Sequence, residues 1–184
     1  MTSSVMNNIE LNGLYQEVIL EHFKRPRHKG RVEHCQFCAD GKNPLCGDLV
    51  TIYCEVNHES PTPRLNLHFE GSGCSISQAS ASIMCEALQN VNLTEAKSIL
   101  KLAENIYTGK EKLSSDDLDS DLEALSGVSK FPVRIKCAAL PWKTLEILLA
   151  ENFDEKGNAK PGCDKLKSCI QNKTKKLKVV TTED

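Results

Sequence analysis

No apolar run in this chain approaches the ~18 residues of a membrane span, although apolar residues make up 40% of its 184 positions. Charge of one sign is not in excess either. The formal net charge is −2, so neither nucleic acid nor a membrane is expected as the main partner. Met1 to Asn8 are polar, with no basic stretch leading into an apolar one and no arginine. That predicts neither a secretory signal nor a mitochondrial leader. No internal repeat is visible. An even set of cysteines behind a signal is missing too: the count is nine, which argues against a disulfide framework. Together these absences predict a cytoplasmic protein whose thiols stay reduced and are available for metal binding or sulfur chemistry.

Leu11, Leu14, Tyr15, Val18 and Ile19 recur at helical spacing and predict an amphipathic helix over roughly 10–23, ended by the approach to Pro26. Residues 24–47 hold Pro26, Gly30, Gly41, Pro44 and Gly47 and read as one long loop, a length that is usually functional. Val50, Ile52, Cys54 and Val56, then Leu65, Leu67 and Phe69, alternate with polar residues. They predict two antiparallel strands with one apolar face each, joined through Ser60-Pro61-Thr62-Pro63. Ser75-Ile76-Ser77-Gln78 reads as the capping box of a helix over about 75–89, and Ala79, Ser80, Ala81 and Ser82 would let it pack closely. Thr94 is expected to cap a helix through about 107, closed by Gly109, and the acidic stretch 113–127 predicts one or two short helices. Ala138 to Glu151 reads as the last core helix, with Pro141 in its first turn. Between Lys156 and Val180 stand eight lysines against the single acid Asp164, which predicts a mobile, solvated basic tail from 152 to 184.

Three cysteines share an unusual setting. Cys46 lies in the turn Asn43-Pro44-Leu45-Cys46-Gly47-Asp48, Cys74 follows Gly71-Ser72-Gly73, and Cys137 is read as sitting just before the last helix. A thiol at a helix N-terminus is pushed toward thiolate, the form that binds metal and attacks sulfur, and Arg134 and Lys136 are expected to push Cys137 the same way. Asp48 can turn its carboxylate toward Cys46. Three thiolates plus one carboxylate make a complete tetrahedral zinc set, and the harder oxygen ligand suits exchange better than a fourth thiolate. Taken singly, each cysteine also reads as a small buried hydrophobe; the joint placement argues for a site. Among the rest, Cys35-Gln36-Phe37-Cys38 could be half of a second metal or redox site, completed by Cys163, Cys169 or His34, but incidental thiols are the plainer reading. Cys54 and Cys85 read as core and Trp142 as a packing anchor. His68 reads as solvated, and His22 as either a structural hydrogen-bonder or part of a site.

The segment from Leu14-Tyr15-Gln16-Glu17 through Pro26-Arg27-His28-Lys29-Gly30 resembles the opening of IscU/NifU-like iron–sulfur cluster assembly proteins. Asn43 to Asp48, Gly71 to Ser77 and Arg134 to Trp142 are similar to that family's three ligand motifs. The resemblance implies an α+β fold: a small antiparallel β-sheet packed against helices within 1–151, with the metal site at one exposed end. Lys136 stands where IscU scaffolds carry His. That difference, the long acidic stretch between Cys74 and Cys137, and Phe131-Pro132-Val133-Arg134 in place of a Leu-Pro-Pro-Val-Lys motif, all resemble the SufU-type branch. That branch implies a zinc-dependent sulfurtransferase taking persulfide sulfur from a SufS-like cysteine desulfurase and passing it to a downstream iron–sulfur scaffold. In it, a desulfurase histidine displaces the first cysteine from zinc. Carried over, Cys46 is the acceptor, Asp48, Cys74 and Cys137 retain the metal, and Arg134 stabilises thiolate or persulfide. Two alternatives stay open on the same four ligands: a scaffold for a [2Fe–2S] iron-sulfur cluster, and a binding module with structural zinc.

Overall fold

The period-two pattern from Val50 to Phe69 builds the centre of the fold. In a computed structural model, which describes residues 3–33, 35–57, 62–110, 120–154, 159–160 and 180–181, β2 (Asp48–Asn57) and β3 (Arg64–Ser72) run antiparallel, with Ile52 opposite Phe69 and Cys54 opposite Leu67. Val50, Ile52, Cys54, Leu65, Leu67 and Phe69 are buried along one face, and each large apolar side chain contributes about 1.5–3 kcal/mol.

The loop expected over 24–47 contains a strand. β1 (Phe37–Asn43) pairs antiparallel with β2, from Phe37 opposite Cys54 to Asn43 opposite Asp48. Its sequence, Phe-Cys-Ala-Asp-Gly-Lys-Asn, has no β-branched residue and a glycine inside, so it carries little strand signal. Gly41 is there because the last helix presses on the strand: a Cβ would overlap Thr144 Oγ1 and meet Leu140 Cδ1 and Val50 Cγ1 at 3.1 Å. Beyond β1, β4 (Val180–Thr181) lies parallel to Gly41 and Lys42, giving the order β3-β2-β1-β4. Most of the predicted basic tail lies outside the described residues.

The helices are α1 (Ser3–Lys24), α2 (Ser75–Ala87), α3 (Leu93–Thr108), α4 (Ser120–Glu123) with a following 3-10 turn (Ala124–Val128), and α5 (Pro132–Asn152). α2 packs on β3 and α5 packs on β1 and β2, while α1 lies on α2 and α3 on α5. The α+β expectation holds, with shifted boundaries. α1 starts earlier than expected. Asn92, not Thr94, caps α3 in a capping box with Glu95, and Gly109 closes it at φ 73° as expected. α5 begins at Pro132, in the first helical turn where a missing N–H costs nothing. Pro141 is therefore inside the helix and leaves the Cys137 carbonyl without its helical donor.

Small residues on α2 serve as cross-ties. Ser80 Oγ donates to the Ala138 carbonyl at 2.7 Å and accepts from Trp142 Nε1 at 2.9 Å, which makes Trp142 a packing anchor. Ser82 Oγ lies 2.8 Å from His22 Nδ1 and accepts from the Arg27 backbone N–H. His22 Nε2 meets Asp121 Oδ2 at 2.9 Å, and Arg27 binds Glu86 at 2.6 Å and Asp121 at 2.8 Å. His22, Glu86 and Asp121 are close enough to chelate a metal, but the Arg27 guanidinium already supplies the positive charge between them. The role of His22 here is structural, tying α1 to α2 and α4. Burial raises the Asp121 pKa, yet hydrogen bonds from His22 and Arg27 outweigh it and hold the carboxyl below its usual 3.8. A depressed folded-state value means this tie stabilises above the unfolded pKa and fades as pH falls through the folded one. His22→Ala is expected to cost about 2–3 kcal/mol in urea melts at neutral pH, because buried partners lose their bonds. Asp121→Asn should lose less stability than the parent on acidification below about pH 4.

Candidate metal centre

Three elements converge at one end of the sheet. β1 ends at Asn43, whose backbone carbonyl accepts from Gly47 N–H at 2.8 Å and whose Oδ1 accepts from Leu45 N–H at 3.2 Å. Asn and Gly suit this loop: the amide side chain mimics a backbone turn, and Gly47 takes φ 73° freely. The loop carries Cys46 into solvent. Asp48 opens β2 and is buried. Its Oδ1 accepts from Cys74 N–H at 2.9 Å and its Oδ2 lies 3.8 Å from Cys74 Sγ. Gly73 is required by this approach, since a Cβ there would overlap the Asp48 carboxylate.

Cys74, not Ser75, is the N-cap of α2, and its sulfur accepts from Ser77 N–H at 3.4 Å. The thiol therefore sits at the positive end of a 13-residue helix, as expected. Cys137 does not precede α5 but lies in its second turn, buried, so the expected N-terminal dipole effect does not apply. Its Sγ is 3.4 Å from Cys46 Sγ and 3.6 Å from Asn43 Nδ2. Burial, then hydrogen bonding with Cys46 and Asp48, then the charge of its neighbours, push the Cys137 thiol well above the ordinary range. The expectation that Arg134 and Lys136 favour its thiolate is not met by the protein groups alone. Arg134 is exposed in the first turn of α5 and stacks its guanidinium on the Phe131 ring at 4.7 Å.

The ligand atoms of Cys46, Asp48 and Cys137 all lie within 4.8 Å of one another, with Cys74 joined through Asp48. Edges of a tetrahedron around zinc, with bonds of about 2.0–2.3 Å, are about 3.3–3.8 Å. The 3.4 Å sulfur pair and the 3.8 Å sulfur–oxygen pair match that spacing. A cation at the centre would also reverse the pressure that keeps Cys137 protonated, because a coordinating thiol is deprotonated outright. The donor set fits a soft or borderline dication, closed on the Asp48 and Cys137 side and open at Cys46 and Cys74.

The remaining sequence candidates fall elsewhere. Cys54 and Cys85 are core, as expected. Cys35 is buried and Cys38, within β1, is disulfide-bonded, which departs from the expectation that every thiol stays reduced. His34, Cys163 and Cys169 lie outside the described residues. His68 is half-buried, not solvated: its ring meets His28 edge-on at 5.8 Å. Two contributors escaped the sequence reading. Gly73 gives the carboxylate its room, and Asn43 bridges the loop to Cys137. The Asn-Pro-x-Cys-Gly order was the available signal for Asn43, since Asn before a short turn hydrogen-bonds its own backbone.

The model of the NifU-like N terminal domain matches residues 14–138. The chain is 44% identical over 151 residues to the zinc-dependent sulfurtransferase SufU of Bacillus subtilis, covering 82% of this chain and 98% of that one. It is 34% identical over 137 residues to the iron–sulfur cluster assembly scaffold protein IscU of Streptococcus pyogenes, covering 74% and 83%. A solved structure from Fervidobacterium islandicum, described as a candidate iron–sulfur cluster assembly scaffold for the SUF system, superposes with a TM-score of 0.62. It is 36% identical and covers 72% of this chain and 93% of its own. A matching model over most of the chain, and relatives covered almost end to end, make this chain a member of the NifU-like N-terminal domain family, alongside SufU and IscU proteins.

Proposed function

We propose that the chain is a zinc-dependent sulfur acceptor that takes persulfide sulfur from a SufS-like cysteine desulfurase for iron–sulfur cluster assembly. The observation that carries this is the clustering of Cys46, Asp48 and Cys137, whose ligand atoms all lie within 4.8 Å of one another, with Cys74 Sγ 3.8 Å from Asp48 Oδ2. The 44% identity to a zinc-dependent sulfurtransferase supports it. Zinc, when bound, supplies the positive charge that keeps the thiols deprotonated.

The four ligands differ in how firmly the chain holds them. Cys74 caps α2, Asp48 starts β2 beneath Gly73, and Cys137 is buried within α5. Cys46 rides on an exposed four-residue loop fixed by two hydrogen bonds to Asn43. It is the ligand that moves at least cost, so it is the acceptor, and the other three retain the metal. The Cys46 thiolate attacks the outer sulfur of the desulfurase persulfide. A new S–S bond forms at Cys46, the enzyme's own S–S bond breaks, and its cysteine departs as thiolate, with no external oxidant. Arg134, exposed one turn before Cys137 and stacked on Phe131, is the cation that would stabilise the charged sulfur after its side chain swings away from the ring. Exposed Leu45, Leu49, Phe131 and Val133 flank the ligands in sequence and give a desulfurase an apolar rim to dock on. The sulfur is then handed to a downstream scaffold. No described helix is long and apolar enough to cross a membrane.

The test is to purify the protein in air, measure zinc and iron, and add it to a SufS-type desulfurase with cysteine. Bound zinc with strongly accelerated sulfide release supports the proposal. Iron with acid-labile sulfide would replace it with a cluster scaffold, the role named for the IscU relative. Zinc without acceleration would leave a structural zinc module.

A further inference from the structure

Asn43 is wholly buried at the end of β1, and the sulfur-transfer step above does not involve its side chain. Three of its polar atoms make contacts around the Cys46 loop and Cys137. Oδ1 accepts from Leu45 N–H at 3.2 Å, Nδ2 donates toward Cys137 Sγ at 3.6 Å, and the backbone carbonyl accepts from Gly47 N–H at 2.8 Å. Leu45 N–H can only donate, so it fixes the amide with oxygen toward the loop and NH₂ toward sulfur. One side chain thus grips both the loop that carries Cys46 and the helix ligand Cys137. The second contact places an N–H donor against a sulfur that must carry charge as a ligand, in a buried corner it shares with Asp48. A sulfur so placed gains from such a donor, as metal ligands generally do from the groups that orient them.

We propose that Asn43 is a positioning residue of the metal centre, seating Cys137 through Nδ2 while Oδ1 sets the resting place of the Cys46 loop. The inference rests on the metal-centre reading above. Asn43 acts through Cys137 and the loop, not on the transferred sulfur. Two variants separate this from a purely structural role. Asn43→Asp keeps an acceptor for Leu45 N–H but turns the donor facing Cys137 into a carboxylate oxygen. Asn43→Ser keeps a short acceptor for the loop and cannot reach the sulfur.

Parent and variants are loaded with cobalt(II) and the sulfur-to-cobalt charge-transfer band is recorded. Zinc affinity is measured by competition with a chromophoric chelator, and metal-free melts report the fold. Both variants are expected to shift the band and to bind zinc about 10- to 100-fold more weakly, with the metal-free melt of Asn43→Ser near the parent's. Parent-like bands and affinities in both variants would overturn the inference while leaving the metal centre standing. Failure of both variants to fold would also overturn it, by making Asn43 a structural residue. A parent that binds neither metal would instead bring down the metal-centre reading on which the inference rests.

Discussion

Cys46→Ala is expected to abolish the acceleration of desulfurase turnover, returning sulfide release to the enzyme's own rate and costing the stimulated reaction about 100-fold or more. No other thiol in the cluster can take over. Cys137 is buried, and Cys74, though exposed, is held as the cap of α2 by Ser77 N–H and beside Asp48, so neither replaces the loop-borne thiol. The fold should survive, because Cys46 is exposed on a loop and its sulfur supports no packing. Zinc should bind more weakly yet still bind, since Asp48, Cys74 and Cys137 remain in place. Three measurements check this together: sulfide release with a SufS-type desulfurase, zinc content after dialysis, and thermal melting. Cys74→Ala makes the contrast, since it should lose zinc as well as acceleration. Full acceleration by Cys46→Ala would remove Cys46 from the transfer step and with it the proposed mechanism.

The parts of this fold that could be read from the sequence are those written in local periodicity. β2 and β3 alternate cleanly because one face of each is buried, while α2 was legible from its capping pattern and small residues and α5 from its leucines. β1 could not be read, because its defining feature is a glycine whose reason lies about 100 residues away, in Thr144. The four candidate ligands were legible as motifs, and the structure draws Cys46, Asp48 and Cys137 together with Cys74 beside Asp48. Their local electrostatics were not. Placing Cys137 before a helix gave it a dipole effect that the real start at Pro132 removes, since Pro132 can begin a helix as readily as break one. The cap of α2 was misplaced by one residue because cysteine is not among the usual capping residues. His22 was ambiguous because its partners Ser82 and Asp121 are brought to it only by tertiary packing.

Gly41→Ala is where fold and site should fail together. The added methyl would overlap Thr144 Oγ1 and press on Leu140 and Val50. Thr144 cannot yield easily: it is buried, and its hydroxyl donates to the Leu140 carbonyl at 2.7 Å within α5. Relief requires β1 and α5 to separate, at a cost of about 3 kcal/mol, a large share of the ~5–15 kcal/mol that holds a domain together. Those two elements carry the two halves of the site. β1 runs into Asn43 and the Cys46 loop, and α5 holds Cys137. A shift of even a few tenths of an ångström between them loosens the 3.4 Å sulfur pair, so zinc affinity should drop alongside the melting temperature. A second substitution distinguishes steric overlap from a general intolerance of side chains in β1. Thr144→Ala alone should destabilise modestly, by losing a methyl and a hydrogen bond. In the Gly41→Ala background it should restore stability, with a coupling energy of about 1–2 kcal/mol. Melts of the parent, both single variants and the double variant complete the cycle. A Gly41→Ala protein as stable as the parent, or a double variant no better than Gly41→Ala, would show that the contact with α5 is not what reserves this position for glycine.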